Sequence, residues 1–132
     1  MKLSIFPVLV VLAGLSACTT SQPTDRGAQL YAANCVVCHG RTATGDGPMA
    51  ASLTPRPANL TLLARSNGGV FPADDVIAQI YGYSGRHQLG GMPDFGTDLA
   101  GPTVDWTSAT GEVIDTPRSL IDLVRYLEGI QQ

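Results

Sequence analysis

The chain has 132 residues, a net charge of −3, 14% charged residues and 6% aromatics. That length fits one small domain, and the charge leaves no basic footprint for nucleic acid. Its 15 glycines and 9 prolines interrupt it too often for a long helical bundle or a coiled coil. The 3 cysteines cannot all pair with one another, so at least one has another task.

The N-terminus reads as a targeting segment. Lys2 is followed by an apolar run over residues 3–15, broken only by Ser4, Pro7 and Gly14, and closed by Leu15-Ser16-Ala17-Cys18. The run is shorter than the roughly 20 apolar residues a membrane span needs, which makes it a secretory signal. The closing four residues resemble the bacterial lipoprotein signal, and the resemblance implies cleavage before Cys18 and acylation of Cys18. The alternative is an ordinary cleaved signal with a chance cysteine. The expected organisation is a signal peptide over 1–17, a lipid-anchored tether over 18–24, small, polar and interrupted by Pro23, and a folded domain over 25–132. The address is the bacterial periplasm, anchored to the outer or inner membrane. Thr19, in place of an acidic residue, resembles lipoproteins sorted outward. Such a compartment is oxidising, where free thiols rarely persist.

A first helix is predicted over 24–35, with Thr24-Asp25 as its start and Ala28, Leu30, Tyr31 and Ala32 leading into Cys35. It runs into Cys35-Val36-Val37-Cys38-His39. Cys-x-x-Cys-His is the attachment signature of c-type haem. The spacing has a chemical reason: two thiols on one short turn can each add to a haem vinyl group, and the next residue sets its imidazole under the iron. The competing reading is a thioredoxin-like redox pair, which calls for a strand before the cysteines and a helix after them, the reverse of this order. A zinc site needs a fourth ligand, and the only other histidine, His87, sits alone.

Residues 40–71 follow with little regular pattern. A second helix is predicted from about Pro72, with Asp74 and Asp75 favourable to its N-terminal dipole and Ile77, Ile80 and Tyr81 on one side. Residues 82–115 form a second long connection. Two such connections in a small domain are unusual unless they wrap something, and a buried haem, one per chain and covalently attached, supplies it. An electron-carrying haem needs a second axial ligand, and methionine is the usual partner of histidine. Beyond Met1 the chain offers Met49 and Met92. Met92, in Gly90-Gly91-Met92-Pro93, is the expected ligand, Met49 is expected to pack on the ring edge, and His87 is the rival. A third helix is predicted from Thr116-Pro117, a cap followed by proline in the first turn, with Leu120, Ile121, Leu123, Val124, Leu127 and Ile130 on its apolar face. No strand pattern alternates long enough to anchor a sheet.

With these residues in view, the chain resembles the class I cytochrome c family in its bacterial periplasmic, monohaem form, from about Arg26 to Ile130. The likeness lies in Gly27 and Tyr31 before Cys35-Val-Val-Cys-His-Gly40, in Gly45-Asp46-Gly47-Pro48, in Gly91-Met92-Pro93-Asp94-Phe95, and in the terminal helix Leu120-Ile-Asp-Leu-Val-Arg-Tyr-Leu127. It implies an all-α cytochrome c fold of about three core helices with long loops around one haem. It further implies that Pro48 offers its carbonyl to the second ring nitrogen of His39. By the same likeness Arg56, in Leu53-Thr-Pro-Arg-Pro-Ala-Asn-Leu60, meets the haem propionates, although a solvent-facing arginine is an equal reading. The segment 96–116 departs from the compact family pattern. It holds Trp106, expected to anchor the loop rather than cover the haem.

The function expected from these features is one-electron transfer on covalent haem c with His39 and Met92 as metal ligands, in a carrier that is not itself an enzyme and takes no small-molecule substrate. The expected partners are redox proteins or a membrane respiratory complex. The alternative is a haem-bearing subunit relaying electrons inside a larger respiratory oxidoreductase. A thiol–disulfide oxidoreductase is a remote alternative. A haem-based sensor would need an output module for which the chain has no spare length.

Overall fold

The computed structural model describes residues 22–82 and 91–132. The signal peptide, Cys18, most of the tether, His87 and Gly90 lie outside the described residues.

Helix α1, Pro23–Asn34, starts on an extended Gln22 with proline in its first turn and Asp25 near its positive end. It begins one residue before the expected start at Thr24 and ends one residue before Cys35. Only Gly27 and Tyr31 of α1 are buried, four apart and so on one face. Helix α2, Val36–His39, follows after Cys35. Short 3-10 turns at Ala50–Ser52 and Leu60–Leu62 lead to helix α3, Leu63–Ser66, and then to helix α4, Ala73–Tyr81. The last helix, α5, is Arg118–Gly129 and buries Leu120, Ile121, Leu123, Val124 and Leu127 on a broad face.

The core forms where α1 crosses α5 and α4 packs beside them, joining Tyr31, Val76, Ile77, Ile80 and Leu99 to the buried residues of α5. The α1–α5 crossing depends on Gly27. A Cβ there would run into the Asp122 carbonyl and lie 2.6 Å from Tyr126 Cβ. Tyr31 and Tyr126 meet at a centroid separation of 5.4 Å with a 43° tilt, a favourable aromatic geometry. At the same crossing Arg26 Nε donates to Asp122 Oδ2 at 2.8 Å. The Asp122 side chain is 3% exposed, so this bond offsets the burial of a carboxylate.

The all-α expectation is corrected. Strands β1, Thr103–Thr107, and β2, Val113–Pro117, form an antiparallel hairpin in the register Thr103↔Pro117 to Thr107↔Val113. Thr103, Asp105 and Thr107 face out, while Val104 and Trp106 turn inward. The alternation is real but only five residues long in each strand, too short to stand out in a sequence. The hairpin holds by a side chain on another element: Trp106 Nε1 donates to Asp74 Oδ1 at 2.7 Å and the Ala109 N–H to Asp74 Oδ2 at 2.8 Å. Trp106 thus anchors this segment to the first turn of α4.

The start of the third predicted helix shifts for the same reason. Thr116 belongs to β2, is fully buried, and donates its hydroxyl to the Ile114 carbonyl, so it caps nothing. Pro117 stays extended and α5 begins at Arg118, whose N–H donates to the Pro102 carbonyl at 2.9 Å. At the far end Gln131 accepts from the Ala64 N–H and donates to the Leu60 carbonyl at 2.8 Å, tying the C-terminus to the second 3-10 turn and α3.

Gly27→Ala forces the crossing apart and is expected to cost about 1–3 kcal/mol of stability, read by denaturant unfolding. No change would show that the close approach is not stabilising.

Candidate functional site

The two cysteines and the histidine share one turn. Cys35 ends α1 and caps α2, and its carbonyl accepts from the Cys38 N–H at 3.1 Å and the His39 N–H at 2.8 Å. The turn stops at Gly40, whose φ of +80° suits glycine. The place a side chain would take there is filled by Asp46. The Tyr31 hydroxyl donates to the Gly40 carbonyl at 2.7 Å, which fixes the exit from the turn to the core.

The loop after the turn is laced to it through the backbone. Gly45 N–H donates to the His39 carbonyl at 2.9 Å, Gly47 N–H to that of Cys38 at 3.1 Å, and Met49 N–H to that of Val37 at 3.0 Å. The loop therefore has little regular structure of its own and takes its order from the attachment turn.

His39 Nδ1 lies 3.0 Å from the Ala58 carbonyl oxygen. A carbonyl only accepts, so Nδ1 carries the ring proton and Nε2 keeps its lone pair for a metal. The carbonyl that orients the ring thus belongs to Ala58 and not to Pro48, as the family likeness implied. Pro48 instead lines a surface cleft of about 380 Å³ with Val36, Gly40, Arg41, Thr42, Asp46 and Gly47. The reason lies in the chain path: the loop lies against the turn's carbonyls through residues 45–49, and residue 58 is what passes the imidazole.

The other expected residues are spread around this turn. Arg56 is exposed, two residues before Ala58. Met49 is 46% exposed beside Val37 at 48%, so it is joined to the turn by backbone but leaves its side chain uncovered. Met92 lies on the segment leading into Phe95, half-buried against the core, with its sulfur 4.0 Å from Gln79 Nε2 of α4. Its contacts run to α4 and the core, whereas Cys35, Cys38 and His39 are brought together by the turn itself.

Several chemistries are separable here. Burial pushes the Cys35 thiol up to about 11, with the nearby Cys38 adding to the shift. A thiol–disulfide enzyme needs the opposite, a thiolate stabilised near neutral pH. Burial also raises the Tyr31 hydroxyl, followed by the influence of Cys35, Tyr126 and Asp46, so it stays a donor to Gly40. Among the described residues no three His, Cys, Asp or Glu side chains are grouped to hold a metal ion by themselves, unlike a closed zinc site. Two free thiols, one oriented imidazole and uncovered apolar side chains at Val37 and Met49 fit a large flat apolar group that brings its own metal.

Attachment through two thioethers with the iron-facing imidazole on the same turn is the chemistry of a c-type cytochrome. Residues 22–109 match the family described as cytochrome C oxidase, cbb3-type, subunit III, and the chain belongs to that family. No curated protein and no solved structure matches the chain. Membership makes the cofactor covalently bound haem c with its iron, and the activity haem-based electron transfer, as a carrier or a complex subunit. The setting is periplasmic or membrane-associated. Among the described residues no helix is long and apolar enough to cross a membrane.

Sequence reasoning missed the Ala58 carbonyl, the Tyr31 hydroxyl bond, the tie of Asp74 to the hairpin and the contact of Gln79 with Met92. A backbone carbonyl leaves no residue signature, so Ala58 had no signal. Tyr31 was legible as a family position, but its hydrogen bond was not.

If the loops depend on the cofactor, the Cys35→Ala/Cys38→Ala variant should be largely unfolded by circular dichroism. A native-like spectrum would show that the polypeptide core suffices.

Proposed function

We propose that this chain carries single electrons on one haem c, attached through Cys35 and Cys38, with His39 and Met92 as the axial ligands. When bound, the haem supplies the ferric–ferrous couple. Cys35 and Cys38 hold it by thioether bonds from the two ends of one helical turn. His39 presents Nε2 to the iron because the Ala58 carbonyl keeps Nδ1 protonated and the ring oriented. The observation that carries the reading is this held imidazole on the same turn as both thiols. Met92 would supply the second ligand to the iron, a neutral donor that raises the potential. Arg56, exposed next to the segment that holds His39, is placed in this reading to meet a propionate. Pro48 contributes as part of the wall beside the turn.

In this reading residues 1–17 are removed, Cys18 carries the lipid, and a short polar stretch joins it to the domain in the periplasm. The carrier needs no catalytic acid, base or nucleophile and no small-molecule substrate. A second reading is favoured by the family description, which names an oxidase subunit: the same haem relays electrons inside a respiratory complex. Co-purification at fixed stoichiometry separates a subunit from a free carrier.

The ferric protein is expected to be six-coordinate and low-spin, and Met92→Ala to become five-coordinate and high-spin with a lower midpoint potential. An unchanged low-spin spectrum in Met92→Ala would overturn the methionine assignment and direct attention to His87.

A further inference from the structure

We propose that Gln79 is a positioning residue for the Met92 sulfur, donating a hydrogen bond that selects the lone pair left for iron and raises the reduction potential. The proposal rests on the methionine ligation above and goes beyond it to a residue on a different element. Gln79 Nε2 lies 4.0 Å from Met92 Sδ. That is the outer reach of a hydrogen bond to sulfur, whose larger radius lengthens the bond beyond that to oxygen and whose thioether form is a weak acceptor. The amide must present nitrogen here, because its carbonyl oxygen would face the sulfur lone pairs.

The surroundings hold both partners in place. Gln79 is half-buried on α4, between buried Ile77 and Ile80 in sequence. The Phe95 N–H donates to the Ile80 carbonyl at 3.1 Å, and the Gly96 N–H to Asp94 Oδ1 at 2.7 Å. The segment from Met92 to Gly96 is thereby tied to the last turn of the helix that carries Gln79. The relative position of amide and sulfur is set by packed backbone and not by chance contact of two long side chains.

A thioether has two lone pairs. With one accepting from Gln79, the other is left to bind iron, so the configuration at the bound sulfur is fixed by the amide. The same bond withdraws electron density from sulfur. Ferric iron needs that density more than ferrous iron does, so the bond favours the reduced state.

The test is equilibrium redox titration of the haem-loaded protein, together with the sulfur-to-iron charge-transfer absorption of its ferric form. Gln79→Met keeps the length and apolar packing and removes the N–H, and Gln79→Leu repeats the removal with a different shape. Both are expected to shift the reduction equilibrium about three- to tenfold toward the ferric form, tenfold being about 59 mV for one electron. The charge-transfer band should be retained and displaced. A retained band with an unshifted potential in both variants would overturn the role of Gln79 alone. A wild-type ferric spectrum without that band would overturn the methionine ligation and this proposal with it.

Discussion

An imidazole serves iron well only when its other nitrogen is held, and here a single backbone carbonyl, that of Ala58, holds it. That one bond fixes the tautomer of His39, its ring plane and the nitrogen left for metal. It also dictates the path of the chain between the turn and residue 58, because the carbonyl has to arrive within 3.0 Å of Nδ1. The N–H groups of residues 45, 47 and 49 donate back to carbonyls of the turn, so a segment without long helices still has its polar backbone satisfied.

The rest of the fold steadies this turn from behind. Gly27 lets α1 approach α5 closely, Tyr31 reaches from α1 to the Gly40 carbonyl, and Arg26 neutralises the buried Asp122 at the crossing. The hairpin is fastened to α4 through Asp74, and Gln131 ties the chain end to the second 3-10 turn and α3. Apart from the Tyr31–Gly40 bond, each link joins segments far apart in sequence, so the low aromatic content does not leave the loops unsupported. It leaves apolar side chains such as Val37 and Met49 uncovered beside the thiols, which a haem face would cover at a gain of about 25 cal/mol per Å² of apolar surface.

The sequence was most legible where chemistry demands fixed spacing. Cys35, Cys38 and His39 fall on one turn, a spacing that serves two thioethers and an iron-binding imidazole together. The helices around Tyr31, Ile77 and Leu123 announced themselves by apolar periodicity, with ends misjudged by a residue or two. Legibility failed where backbone or tertiary contact decides the outcome. The hairpin was missed because its alternation is short and its anchor, Asp74, lies on another element and looked like a helix-dipole residue. Thr116 looked like a cap but was taken by the strand. The partner of Nδ1 was misassigned to Pro48 because a carbonyl has no residue identity to read. Gln79 carries no signal at all until α4 and the methionine segment are packed together.

The claim on which everything else stands is that the thiols of Cys35 and Cys38 belong to a covalent haem. Trypsin cuts after Arg26 and Arg41, releasing both cysteines and His39 in one peptide. Mass spectrometry of that peptide, after denaturation and treatment with a thiol-alkylating reagent, measures the claim directly. The expected result is the peptide mass plus one haem, with neither thiol alkylated. A peptide carrying two alkyl groups and no haem would contradict it.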